Sequence, residues 1–400
     1  MGIEDRFGTA SLRRAVLDAW AASPARFRED ANAEEELALG GYRDRLVVEL
    51  AQNAADAAAR AGVEGRLRLT LRDGVLVAAN TGDPLHTRGV EALSTLRASA
   101  KRDDGPDSVG RFGVGFAAVL AVCDEPVVLS RTGGVRWSLH EARDLVAERA
   151  AGNAGLTDEL ARRDGGVAVL RLPMPAEGTP PEDYDTCVVL PLRDGAAIDL
   201  AARLLAEIDD ALLLTLRRIG EIVIETPDGV RTLTCRQDGG ALVVADNGVE
   251  TRWWVGQDGG ALEPELLADR PVEERRRAAW SVLWAVPLDA ADQPLRPSVR
   301  PVVHAPTPTD EPLGLPALLV ASFPLDPTRR HTAPGPLRDF LVERAADVYA
   351  TLLGTWPTTT AGVLTLVPGP TAEGELDGLL RRAVLARLAT TAFLPAASPA

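Results

Sequence analysis

Cysteine is scarce in this 400-residue chain: Cys123, Cys187 and Cys235 stand alone, scattered and in no metal-ligand spacing. That excludes a cysteine metal knuckle and points to a reducing cytosol. Positive charge is also short. Lysine plus arginine number 43 against 58 acids, a net charge of −15, which argues against a general nucleic-acid binder while leaving room for a local basic channel. Long apolar runs are missing too. The longest, around Gly113 to Val122, is far short of the ~18 residues a membrane span requires. The opening MGIEDRFGTA has no apolar signal core, so the expected location is cytoplasmic, with no membrane partner. What is present, 46% apolar and 25% charged residues, suits a soluble globular protein with two or three domains.

Ser11 to Ala21 and Ala25 to Leu39 predict two leading helices, broken from the next element by Gly40-Gly41. Tyr42 to Arg60, containing ELAQNAADA at residues 49–57, predicts a third helix, with Gly62 as its stop. Glu49, Asn53 and Asp56 then share one helical face. Such a face is either simply wetted or a site, with Asn53 Oδ1 as a hard ligand to a cation and Glu49 polarising a water. Arg66 to Leu71 and Gly74 to Ala79 alternate about Arg72-Asp73-Gly74, a hairpin signal. The second run empties into Asn80-Thr81-Gly82-Asp83-Pro84-Leu85, an ordinary turn or a place of close approach.

A short helix is expected over Leu93 to Ala100, then Lys101-Arg102 and a polar loop to Ser108. The loop opens into Gly110-Arg111-Phe112-Gly113-Val114-Gly115-Phe116, an apolar helix over Ala117 to Val122 and a strand over Pro126 to Arg131. Glycines ahead of a helix expose backbone N–H groups beside a positive dipole end, an anion cradle unless they merely turn the chain. The spacing matches neither the dinucleotide fingerprint nor the P-loop.

In that order the segments resemble the GHKL ATPase superfamily. They are most similar to its ninety-kilodalton heat-shock chaperone branch, and within that to sacsin-like bacterial proteins. ELAQNAADA resembles the branch's Glu-x-x-x-Asn-x-x-Asp-Ala helix, and VGRFGVGFAAVLAVCDEPVVLSR its glycine box and following strand. LRASAKR resembles the lysine-bearing stretch before the lid. Asp185-Thr186-Cys187 to Arg193 resembles the Gly-Thr strand that closes the nucleotide domain, with Asp185 where glycine is usual.

The resemblance covers roughly residues 42–195. It implies an α+β chain whose residues 1–195 form a Bergerat-type α/β sandwich binding ATP and Mg²⁺. By the same resemblance Glu49 is the general base and Asn53 the Mg²⁺ ligand. Gly110, Gly113, Val114 and Gly115 donate N–H groups to the phosphates, with Phe112 in the same box and Lys101 assisting. Asp56, Asn80, Gly82 and Thr186 complete the nucleotide site, with Thr186 near the adenine. The family's Asp-x-Gly-x-Gly is here Asn80-Thr81-Gly82-Asp83-Pro84: Asn80 accepts through Oδ1 without charge, and Pro84 stiffens the loop.

Beyond it, Ala197 to Leu213 predicts one long helix, followed by strands at Gly220 to Glu225, Ala241 to Asp246 and Thr251 to Val255. Trp253, Trp254, Trp280 and Trp284 read as packing, Pro287 to Pro316 as irregular loops, and Leu341 to Leu353 and Leu376 to Leu388 as helices. Residues 196–355 are expected to form an α+β middle domain. Residues 356–400 read as the start of a further segment, in a truncated chain that lacks the branch's dimerising part. Ser322 to Arg330 resembles the middle-domain loop that delivers an arginine, Arg329 or Arg330, to the γ-phosphate. Two solvated arginines are the equal alternative.

The function implied is an ATP-hydrolysing, chaperone-like protein acting on an unknown protein client, its nucleotide state coupled to lid and domain closure. The alternative is a nucleotide-gated interaction scaffold with negligible hydrolysis. Glu49 favours the first, and Asn80 the second. A histidine kinase is not expected, because the histidines are His86, His140, His304 and His331 and none lies in a phosphoacceptor helix ahead of residue 42, and a mismatch-repair ATPase fits the Phe112 to Phe116 box less well.

Overall fold

Two leading helices, α1 (Thr9–Ala22) and α2 (Pro24–Leu39), form where the sequence predicts them. The extended backbone of Ser23 parts them. The computed structural model describes residues 3–39, 43–94, 115–275, 278–305, 307–326, 328, 330–357 and 361–394. Residues 1–208 with 218–232 form one unit, and 209–217 with 233–400 a second. Each is α+β. Among the described residues, no helix is long and apolar enough to cross a membrane.

The first unit is built on α3 (Leu46–Ala61), which buries Leu46, Leu50, Ala51, Ala54 and Ala58 at helical spacing. Gly62 ends it in the left-handed region at φ 68°, where its N–H and that of Val63 donate to the last carbonyls. The next strands, β1 (Gly65–Arg72) and β2 (Val75–Asn80), pair about Asp73 and Gly74, both at positive φ. Two such residues give the turn whose twist suits a tight hairpin. Leu67, Leu69 and Leu71 face inward while Arg66 and Arg72 face out.

The other strands of the unit are β3 (Val127–Ser130), β4 (Gly133–Arg136), β5 (Met174–Ala176), β6 (Thr186–Pro191) and β7 (Ile219–Thr226). The sheet order is β7-β1-β2-β6-β3-β4-β5. It is mixed, since β7 runs parallel to β1 and the other neighbours are antiparallel. Its remaining helices are α4 (Thr87–Leu93), α5 (Leu139–Ala150), α6 (Ala154–Arg162) and α7 (Gly195–Ala206). The sheet supports α3, which packs on β1, β2 and β7.

Several expectations are corrected here. A short helix, α4, ends at Leu93, while the helix expected over Leu93 to Ala100 falls mainly on residues 95–114, which lie outside the described residues. The apolar helix after the glycine box is a 3-10 turn, Gly115–Ala121. The long helix from Ala197 breaks after Ala206, because Asp209 accepts from the N–H of Ala211 at 3.0 Å and starts a new helix. The strand β7, beyond residue 195, belongs to the first unit.

That new helix, α8 (Asp210–Thr215), opens the second unit. Its strands are β8 (Gly229–Asp238), which pairs with the next from Leu233 onward, β9 (Ala241–Asp246), β10 (Val249–Ala261), β11 (Ala279–Leu288), β12 (Val302–His304), β13 (Pro308–Pro312) and β14 (Leu318–Ala321). They lie in the order β13-β12-β14-β11-β10-β9-β8. The stretch from Pro287 to Pro316 therefore holds two short strands and is not loop throughout. After the short α9 (Val272–Arg275), α10 (Pro336–Gly354) and α11 (Glu375–Leu388) pack on each other, and α10 packs on β10 and β11. One core holds Trp284, Phe323, Tyr349 and Leu380, so α11 belongs to this unit and not to a separate segment. Trp253 and Trp284 are buried, and Trp254 and Trp280 pack against the core.

Candidate functional site

The helix α3 presents Glu49, Asn53 and Asp56 on its site face. Glu49 is 8% and Asp56 1% exposed, while Asn53 is half-buried. Carboxylates lose much solvation when buried, so this is no simply wetted helical face.

Gly115 meets the first of these residues. A Cβ built on Gly115 would overlap Glu49 Oε2 and lie 2.8 Å from Cδ. No other residue type lets backbone come so near that carboxylate. The 3-10 turn it opens buries Phe116, Ala117, Ala118, Val119 and Leu120, which holds the approach in place.

Gly82 meets the other end of α3. Its φ is 126°, and a Cβ there would lie 2.6 Å from Ala58 N and 2.7 Å from Ala57 O. The next residue, Asp83, donates its N–H to Ala57 O at 2.9 Å. The turn after β2 is thus pressed onto the helix. Asn80, buried at 9% exposure, pairs in register with Thr186 across β2 and β6, and its Nδ2 donates to Thr81 O at 3.1 Å.

Asp185 closes this corner. Its Oδ2 accepts from Gly82 N–H at 2.8 Å, its own N–H donates to Asn80 O at 2.9 Å, and its Oδ1 lies 3.0 Å from Arg131 NH1. Ser130 Oγ donates to Asp185 O at 3.1 Å, lies 3.1 Å from Thr186 Oγ1, and accepts from Leu85 N–H at 3.0 Å. The sequence marks Asp185 only as a departure from glycine, and gives no role to Ser130. The Asp185-Thr186 pair next to a strand was the signal that a side-chain staple stood there.

Burial pushes the thiol of Cys187 up to about 11 and that of Cys123 to about 12, so both stay protonated at neutral pH and neither is a nucleophile. Burial also pushes the Glu34 carboxyl up to about 8, against the backbone N–H groups of Val169 and Leu170 that favour its ionised form.

The structure brings together Glu49, Asn53, Asp56, Asn80, Gly82, Gly115 and Thr186 around α3 and the β2–β6 corner. Lys101, Gly110, Phe112, Gly113, Val114 and Arg329 lie outside the described residues. Arg330 sits in the second unit, with NH1 3.5 Å from Asp310 Oδ2 and its carbonyl accepting from Asp310 N–H at 2.7 Å. Among the described residues, no three His, Cys, Asp or Glu side chains converge on a metal position. The chain matches no known family model and no curated protein.

Proposed function

We propose that the first unit is a Bergerat-type domain of the GHKL kind, and that the chain binds ATP with Mg²⁺ and hydrolyses it. The observation that carries this reading is the approach of the Gly115 backbone to the Glu49 carboxylate on α3. A glycine that must stay bare sets polar backbone beside a buried acid, which suits a phosphate next to a water-activating base. Asn53 would hold the metal. Mg²⁺ commonly takes one or two protein oxygens and keeps phosphates and waters for the rest, which suits a single amide oxygen as its protein ligand. When bound, the ion would neutralise charge on the phosphates. Glu49 would orient a water and take its proton. Asn80 and Thr186, at the far end of α3, would meet the base. In a chaperone-like protein this cycle would drive lid and domain closure on a protein client.

The test is a pair of measurements on the full chain: an ATP isotherm with and without Mg²⁺, and steady-state phosphate release. Magnesium-dependent binding with release supports the ATPase; no ATP binding ends the reading. Binding without release favours the scaffold, to which two observations lean. Asn80 carries no charge, and Arg330 is engaged by Asp310 within its own unit.

A further inference from the structure

We infer that Asp185 is a positioning residue for the nucleotide base, fixing the Asn80–Gly82 turn and so setting base affinity and selectivity separately from phosphate binding. The inference rests on the proposed ATP site. Its basis is the hydrogen-bond pattern at the corner of β2, β6 and β3. Asp185 grips the turn twice, accepting from Gly82 N–H at 2.8 Å and donating to Asn80 O at 2.9 Å. Arg131 and Ser130 hold Asp185 in turn, at 3.0 Å and 3.1 Å. From the other side, the turn abuts the backbone of Ala57 and Ala58. It therefore has one position, set between a helix backbone and a carboxylate.

Position matters more here than it would for a charged acceptor. A neutral amide offers one carbonyl oxygen, and hydrogen bonds weaken steeply as the donor angle departs from linearity. Asn80 can discriminate an amino-bearing base only if its backbone does not drift, and Asp185 is what prevents the drift. The bonds described here join Asp185 to Gly82, Asn80, Ser130 and Arg131, while Gly115 approaches Glu49 nearer the start of α3, so the phosphate end is left to other residues.

The experiment titrates the full chain and two variants with ATP, GTP and inorganic tripolyphosphate. Asp185→Ala leaves Gly82 N–H without its acceptor and should weaken ATP about tenfold. It should also narrow the ATP-to-GTP ratio and leave tripolyphosphate unchanged. Asp185→Asn, whose Oδ1 still accepts, should stay within about twofold of the unaltered chain. If Asp185→Ala does not fold, Asp185→Glu carries the test, since one extra methylene displaces the acceptor and the ATP-to-GTP ratio must still fall. Unchanged ATP affinity in these variants overturns the inference alone. Equal loss of ATP and GTP, or of ATP and tripolyphosphate, also overturns it and reduces Asp185 to a general brace. An unaltered chain that binds no ATP removes the nucleotide reading itself, and this inference with it.

Discussion

Gly115 and Glu49 stand with no room for a side chain between them: a Cβ on Gly115 would lie 2.8 Å from Glu49 Cδ. Gly115→Ala must therefore displace the carboxylate or the 3-10 turn. Overpacking of this kind costs about 1–3 kcal/mol, so the melting temperature of the first unit should fall by several degrees. If Glu49 is the base, phosphate release should fall further than the stability loss alone explains. Normal turnover in Gly115→Ala would mean that Glu49 can move without consequence.

Glu49 and Asn53 should separate when each is truncated. Glu49→Ala is expected to keep ATP bound while cutting turnover ~10²–10⁴-fold, the usual loss on removing a general base. Asn53→Ala should instead abolish the magnesium-dependent part of the ATP isotherm. A fall of binding and turnover together in Glu49→Ala would make that residue structural.

How much of this was legible follows from where the signals lay. The third helix and the hairpin announced themselves through periodicity, a glycine stop and an Asp-Gly turn, all local. The parallel pairing of β1 with β7 was not legible, because Gly65 and Ile219 are joined by a register and not by any neighbouring signal. Strand β4, helices α5 and α6, and β5 were unread although two of them carried caps. Ser138 accepts from Glu141 N–H, and Asn153 from Leu156 N–H, and Ser-x-x-Glu is a helix start. The helix α4 was also unread: it has no side-chain cap, and Gly89 lowers its propensity. In the site, residue types could be read, but that Gly115 touches Glu49 and Asp185 holds Gly82 are facts of tertiary approach.

The two units should respond to pH in opposite directions. His304 is buried in β12, and among the described residues its Nε2 has no hydrogen-bond partner. Burial, aided by Arg300, lowers it from 6.5 to about 4. Between those values the unfolded chain binds more protons, so the second unit loses stability as pH falls from 6.5 towards 4. The gap corresponds to about 3 kcal/mol. Glu34 is raised from 4.5 to about 8. Its contribution to the first unit is complete below 4.5 and lost as pH rises through 8. Hydrogen exchange read for each unit across pH 4 to 8 checks both, with His304→Leu and Glu34→Gln each expected to flatten its own unit's profile. Parallel profiles would contradict the pair.

Lys101 is the one lysine among 400 residues, which makes the resemblance testable at a single amine. If it assists the phosphates, saturating ATP with Mg²⁺ should slow acylation of its ε-amine several-fold, while the N-terminal amine reacts as before. Peptide mass mapping distinguishes the two. Equal rates with and without nucleotide would remove Lys101 from the site.

The last prediction concerns which parts of the chain hydrolysis needs. A first domain cut at Arg193 would strip β7 from β1, whose pairing runs from Gly65 to Thr70. It should bind ATP poorly for that reason alone. A chain ending at Thr232, with residues 209–217 replaced by a glycine-serine linker, keeps β7 and omits the second unit. It should bind ATP about as well as the full chain, because α3, the Asn80 turn and Gly115 all lie within it. If an arginine of the second unit meets the γ-phosphate, that chain should hydrolyse ~10³-fold more slowly, since such a cation acts on charge developing in phosphoryl transfer. Arg330 already faces Asp310 at 3.5 Å, and an arginine that meets a phosphate must give up the anion it holds. Asp310→Ala should then raise turnover in the full chain if Arg330 is the residue, and Arg330→Ala should match the shortened chain. If only Arg329→Ala does so, the role passes to Arg329. Equal turnover from the chain ending at Thr232 would withdraw both arginines and leave the chemistry to the first unit alone.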